Sequence, residues 1–228
     1  MDLQTAITNV QAFAEPAKIP EKAAYHKIDR PYWGVPNPAL NDIAKTWRQT
    51  LTLDQRIETA GGLWQTNALE GRILAAKLLT QARIKPDDHA VWALITSWLP
   101  DFDSWAIADH VCVAGHRRVV ADPTRLDEVE TWTTSDHMWT RRAAMVITLP
   151  WTKQRNPKPE EIAARERILG WATTYVDDHD WFIQKSIGWW LRDLSKRDPG
   201  RVVAFLEEHG DAMKPFARKE AARQLPTT

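Results

Sequence analysis

Apolar residues return every third, fourth and seventh position through residues 68–81, 140–149, 162–175 and 182–196. That interval lines them along one face of a helix and turns the polar positions between them to water. No segment alternates apolar and polar residues with the period of two that a half-buried strand requires, so the pattern predicts an all-α chain. Breaks fall at Pro36 and Pro38, Lys85-Pro86-Asp87, Asp122-Pro123, residues 156–159 and Asp198-Pro199-Gly200. Between them lie predicted helices of roughly 10 to 17 residues, each the length of one arm of an αα-hairpin. Asp122-Pro123 and Asp198-Pro199 also have the order of a capping carboxylate followed by a residue well tolerated in the first helical turn. Tyr32-Trp33-Gly34-Val35-Pro36-Asn37-Pro38 predicts a loop leading into a helix near Pro38.

Three predicted helix starts share a basic residue set before small apolar ones: Thr140-Arg141-Arg142-Ala143-Ala144, Ile183-Gln184-Lys185-Ser186-Ile187 and Ala217-Arg218-Lys219-Glu220-Ala221. Arg142, Lys185 and Lys219 then follow one another at 43 and 34 residues, within the span of HEAT-like and related helical repeats. The expected architecture is an α-solenoid of HEAT-like repeats, one domain over residues 1–228, whose successive second helices line a concave surface. A cation near each N-terminal helix end, where the helix dipole also favours anions, makes that surface a candidate phosphate track. The alternative is that each cation is solvated or paired with a nearby acid such as Asp136, Asp180 or Glu220.

Composition narrows the function classes. With 228 residues and 43% hydrophobic content, the chain can bury one sizeable core. The single cysteine, Cys112, excludes an intramolecular disulfide and a cysteine-based zinc site, so a cytoplasmic protein without structural metal is expected. No basic segment followed by an apolar one opens the chain, and no apolar run approaches about 18 residues, so no membrane partner is expected. Thirty basic and thirty acidic residues cancel, which argues against indiscriminate polyanion binding while permitting a local basic face. No phosphate-cradling glycine loop, nucleophile elbow or paired-histidine metal motif is present, so no cofactor is expected. His110, His137 and His179 are expected as caps or surface residues.

Thirteen tryptophans are the strongest compositional departure. Trp47, Trp64, Trp92, Trp98, Trp132, Trp151, Trp171 and Trp181 are expected to pack between repeats. Three others stand one helical turn before a charge: Trp105 with Asp109, Trp139 with Arg142, Trp189 with Arg192. These spacings put each pair on one helix face, where an indole attracts cations and the charge sets polarity. Asp103 is the expected cap of the helix carrying Trp105 and Asp109, and Ser135-Asp136 of the helix carrying Arg142. Asp109 either bonds a neighbouring loop or a basic residue of the next repeat, or is a carboxylate held in a groove beside an indole. Arg142 either closes an ion pair with Asp109 or grips a phosphate. Trp189 and Trp190 point about 100° apart, so one is expected in the core and the other on the groove. Gly188 before them admits either a partner or a closely packed helix.

In matching order from about Tyr25 to about Leu225, these blocks resemble the bacterial DNA alkylation repair glycosylases of the AlkD type. The resemblance is carried by Tyr32-Trp33-Gly34-Val35 with Pro38, Trp105 with Asp109, Trp139-Thr140-Arg141-Arg142-Ala143-Ala144, and Arg218-Lys219-Glu220-Ala221. Its most specific block is Phe182-Ile183-Gln184-Lys185-Ser186-Ile187-Gly188-Trp189-Trp190-Leu191-Arg192. It implies HEAT-like repeats around a concave DNA groove and excision of positively charged N3- or N7-alkylated purines from double-stranded DNA, with the lesion left stacked. It further implies a monomer without a cofactor. By position it makes Asp109 the catalytic carboxylate, Trp105 and Trp189 the aromatic walls, and Arg142 a DNA-contacting or Asp109-positioning group. Tyr25, Lys185, Arg192, Arg218 and Lys219 become DNA-binding residues. Ser104 stands where relatives often carry a second aromatic. The alternative is a non-catalytic HEAT-like module that binds nucleic acid or protein.

Overall fold

A computed structural model describes residues 1–225. Among them lie thirteen α-helices and no strand. They are α1 (Leu3–Gln11), α2 (Ile19–His26), α3 (Asn37–Thr50), α4 (Leu53–Gln65), α5 (Leu69–Leu79), α6 (His89–Ser97), α7 (Trp105–Ala121), α8 (Leu126–Trp132), α9 (Met138–Ile147), α10 (Pro159–Tyr175), α11 (Trp181–Ser195), α12 (Pro199–His209) and α13 (Pro215–Ala222). The four strongly periodic segments correspond to α5, α9, α10 and α11. Their ends differ by a few residues because short 3-10 turns close several hairpins, as at Leu149–Thr152 after α9. No helix among the described residues is long and apolar enough to cross a membrane.

The chain divides into two compact units, Met1–Arg118 and the part from Val119 onward. In the first, Leu40, Leu63, Trp64, Leu74 and Leu78 are fully or almost fully buried. Trp64 stacks on Trp98 with ring centroids 4.2 Å apart and planes 5° apart, and its indole N–H donates to Asp101 at 2.8 Å. In the second, Ile168, Ile187, Trp190, Leu191 and Phe205 form the corresponding core. All but one of the eight tryptophans expected to pack between repeats are buried. Trp181 meets that expectation only in part, stacking on Phe216 of α13. It is 47% exposed because it is the first residue of α11, at the rim of the packed layer.

Polar bonds recur at nearly one separation along the chain, which is the mark of a repeat. Arg30 reaches Asn67, Trp64 reaches Asp101, Arg118 reaches the Gln81 carbonyl, Arg141 reaches Asp178 and Arg167 reaches Glu130, each across 37 residues. Among the described residues several arginines end on main-chain oxygens distant in sequence, as do Arg30 on Asn67, Arg48 on Lys77, Arg72 on Asp101, Arg118 on Gln81 and Ala82, and Arg142 on Phe182. The Asp101, Gln81 and Ala82 carbonyls lie at the end of a 3-10 turn and in a loop, where intrahelical partners are lacking, whereas those of Lys77 and Phe182 belong to the last turn of α5 and the first turn of α11.

Two expected caps are corrected. The α7 cap is Ser104, whose hydroxyl accepts from the Ile107 N–H at 3.4 Å and whose carbonyl accepts from Ala108. Asp103 instead pairs with Arg30. Ahead of α9 the capping position is His137, with its ring 2.9 Å from the Thr140 hydroxyl. Ser135 only closes the turn before it, accepting from the His137 N–H at 3.2 Å. Asp198 does cap α12, accepting from the Arg201 N–H at 3.1 Å.

Candidate active site

The first group of candidate residues is built around the start of α7. Trp105 and Asp109 are both half-buried and stand one turn apart on that helix, as their spacing requires. Trp105 is held from the side by the end of α2. Tyr25 meets it nearly perpendicular, centroids 5.8 Å apart and planes 87° apart, and His26 lies 5.5 Å away at 35°. Tyr25 is itself 67% exposed, so its ring has one side on the indole and the other in solvent.

The placement of α2 depends on a buried acid. Lys27 leaves the helix with φ of 55°, and the chain turns into residues 28–36. There the Glu70 carboxylate of α5, only 2% exposed, accepts the Trp33 and Gly34 N–H groups at 2.9 and 3.0 Å. It also pairs with Lys22 of α2 at 3.0 Å. Gly34 has φ of +75°, and a Cβ there would lie 3.0 Å from the Glu15 carbonyl oxygen, so the turn admits no larger residue without strain. One carboxylate thus ties the loop and α2 to α5 and brings Tyr25 and His26 to Trp105.

Two histidines complete this region. Burial, assisted by the Lys22 ammonium, pushes the His26 imidazole below its usual range, with Glu70 opposing. His110 also corrects an expectation, being neither cap nor surface residue. It is half-buried inside α7, its Nδ1–H donates to the Ala106 carbonyl at 2.6 Å, and burial lowers its pKa. Lys22, His26, Glu70, Trp105 and His110 line a cavity of about 260 Å³ with an apolar floor that includes Leu40 and Ile73.

The second group lies in the second unit. Arg142 is 2% exposed; it donates to the Phe182 carbonyl at 3.0 Å and lies 5.8 Å from the Phe182 ring centroid. Trp139 packs on the same ring at 4.5 Å. Lys185 is exposed, and its ammonium sits 4.5 Å over the Trp181 ring. Trp181 stacks in turn on Phe216 at 5.6 Å and 27°. Arg218 and Lys219 are exposed on α13, Arg218 pairing with Asp211 at 2.6 Å. Arg192 is engaged by Glu220 and, at 3.4 Å, by Asp193. Asp180 caps α11 by accepting from the Phe182 N–H at 2.7 Å. Of the two adjacent tryptophans, Trp190 is fully buried and Trp189 half-buried. Gly188 serves close helix packing, since a Cβ there would lie 2.9 Å from the Ala217 carbonyl oxygen.

A family model described as "DNA alkylation repair enzyme" matches residues 6–225. The chain belongs to the DNA alkylation repair enzyme family. Among solved structures, this family member is similar to one described as "Predicted DNA alkylation repair enzyme from Enterococcus faecalis". They share 22% identity and a TM-score of 0.75, over 94% of this chain and 98% of the other. It is also similar to AlkD2 from Streptococcus mutans, at 18% identity and a TM-score of 0.61, over 83% of this chain and 90% of that one. At these identities the likeness concerns the fold. No curated protein matches this family member significantly.

Sequence reasoning missed three residues that organise these groups. Gln184 is fully buried. Its amide donates to the Val176 and Asp178 carbonyls at 3.0 and 2.9 Å, and its oxygen accepts the Lys214 N–H at 2.8 Å. Much of the Phe-Ile-Gln-Lys block is therefore scaffold. Glu70 had a signal, an acid near the start of the apolar-periodic stretch 68–81. His26 had none.

Proposed function

We propose that this chain is a DNA glycosylase that hydrolyses the N-glycosidic bond of positively charged N3- and N7-alkylated purines in double-stranded DNA, as a monomer and without flipping the lesion. The observation that carries this reading is the half-buried Trp105 and Asp109 pair, one turn apart on α7 with the indole packed against Tyr25 and His26. Membership of the alkylation repair family supplies the substrate class.

The chemistry suits those residue types. An N3- or N7-alkylated purine already carries the charge that a general acid would otherwise supply. The C1′–N bond can break with its electron pair going to the base, which departs neutral and leaves an oxocarbenium-like sugar. Asp109 stabilises that cation and takes a proton from the water whose oxygen attacks C1′, giving an abasic site. The face of Trp105 adds attraction as positive charge develops on the sugar, and the role of an aromatic wall is assigned to Trp189 as well. Tyr25, Lys185, Arg218 and Lys219 are assigned to the DNA; Arg142, buried and bonded to the Phe182 carbonyl, and Arg192, already held by Glu220 and Asp193, take the smaller part. Contact with the backbone and sugar requires no snug base pocket, so the base need not be extruded from the stack.

Incubation with methylated duplex DNA, followed by chromatography for free 7-methylguanine and 3-methyladenine, tests the activity. No release above spontaneous depurination refutes it. Asp109→Asn is expected to lower release by about 100-fold or more while duplex affinity stays within twofold; normal release from that variant refutes the assignment of the carboxylate. DNA affinity without release in the wild type identifies a binding module.

A further inference from the structure

His26 has no part in the chemistry above, yet it is packed against Trp105. Its ring lies between that indole, at 5.5 Å, and Tyr32, whose centroid is 6.4 Å away with planes 29° apart; Tyr25 abuts it edge-on at 5.0 Å. Its Nδ1 is buried and has no hydrogen-bond partner. A lone pair tolerates that position better than an N–H does, because a buried unpaired donor on a cation carries the larger desolvation penalty. The ionisable groups around it are Lys22 on its own helix, Glu70 on α5, His110 on α7, and the Tyr25 and Tyr32 phenols. Glu70 offers no relief, since its oxygens already serve Lys22, Trp33 and Gly34. An imidazolium at this place has two options. It remains beside the indole and presents a positive charge to any cationic sugar at Trp105, or it turns into the adjoining cavity of about 260 Å³, a volume with room for several waters, and withdraws its packing from the indole.

We propose that His26 is a positioning residue for Trp105: its neutral imidazole holds the indole beside Tyr25, and its protonation disables that wall. The proposal rests on the assignment of Trp105 to the reaction centre. It is specific to this side chain, because a phenyl ring of similar shape would fill the same space and never charge.

The test combines single-turnover release of 7-methylguanine between pH 8 and pH 5, corrected for spontaneous depurination, with NMR of the histidine Cε1–H and tryptophan indole N–H signals, assigned through His26→Phe and Trp105→Phe. In wild type the release rate is expected to fall roughly tenfold over the pH range in which the His26 signal titrates, and the Trp105 signal should move with it. His26→Ala is expected to be slow at every pH. His26→Phe should recover the pH 8 rate and lose that acid limb. A limb that persists in His26→Phe, or a His26→Ala variant equal to wild type throughout, overturns the proposal. If wild type releases no base, the glycosylase reading has failed, and NMR alone decides the matter for His26. A Trp105 signal indifferent to the His26 titration then overturns it, and a coupled pair of shifts that vanishes in His26→Phe supports it.

Discussion

Glu70 shows how much one side chain can determine. It is an acid with 2% exposure, and its oxygens accept two main-chain N–H groups and a lysine ammonium. Removing it strands all three donors. Glu70→Ala is expected to destabilise the protein by about 3 kcal/mol in urea unfolding, and Glu70→Gln, which keeps one acceptor, by roughly 1 kcal/mol. At this scale the sequence was partly legible. Spacing identified the Trp105 and Asp109 pair, because a shared helix face needs nothing beyond a helix. It could not identify His26, whose significance lies in meeting α7 from a helix some eighty residues earlier. Nor could it separate Trp190 from Trp189, since consecutive residues differ by an angle whose zero is set by packing. Arg192 marks a further limit: a cation beside an indole reads the same in sequence whether or not an acid faces it, and in the fold Glu220 on α13 does.

Elements were more legible than their ends. Periodicity found α5, α9, α10 and α11 because amphipathic faces several turns long outweigh local irregularity. Caps were less secure. Ser104 and Asp103 are adjacent and both suited to the role, and the choice was made by Arg30, a loop residue that takes Asp103 as its partner. The approach of α13 to α11 is likewise a tertiary fact, expressed in Gly188. Gly188→Val is expected to force the two helices apart and lower stability by about 1 to 3 kcal/mol. A shift in denaturation midpoint with an unchanged slope would report it, and a neutral result would mean that α13 yields easily.

For the molecule as a whole, zero net charge conceals an uneven commitment of cations. Many arginines are occupied within the fold, whereas Lys185 and Lys219 stand exposed on α11 and α13. If these two meet phosphates, replacing each with alanine should weaken duplex binding irrespective of sequence and reduce the slope of log affinity against log salt by about 1. Titration of duplex DNA at several salt concentrations measures that slope, and an unchanged value removes the residue from the interface. Stability should also follow the buried imidazoles. His26 and His110 both bind protons less readily when folded, so the unfolded chain takes up more protons as pH drops. Stability is therefore full above the ordinary histidine range, declines as pH falls through it, and levels off below the depressed folded values. Urea midpoints at pH 7.5 and pH 5 would show the decline, and His110→Leu should flatten it.

The arginines that end on main-chain oxygens have a different character. A peptide carbonyl has no proton to gain in this range and a guanidinium none to lose. The joints made by Arg48, Arg72, Arg118 and Arg142 therefore have no titration midpoint, and mild acid passes them by. Acidity reaches the imidazoles near Trp105 long before it reaches the fastenings of the frame, so a molecule silenced by a modest fall in pH should still be assembled, and should resume when the proton leaves.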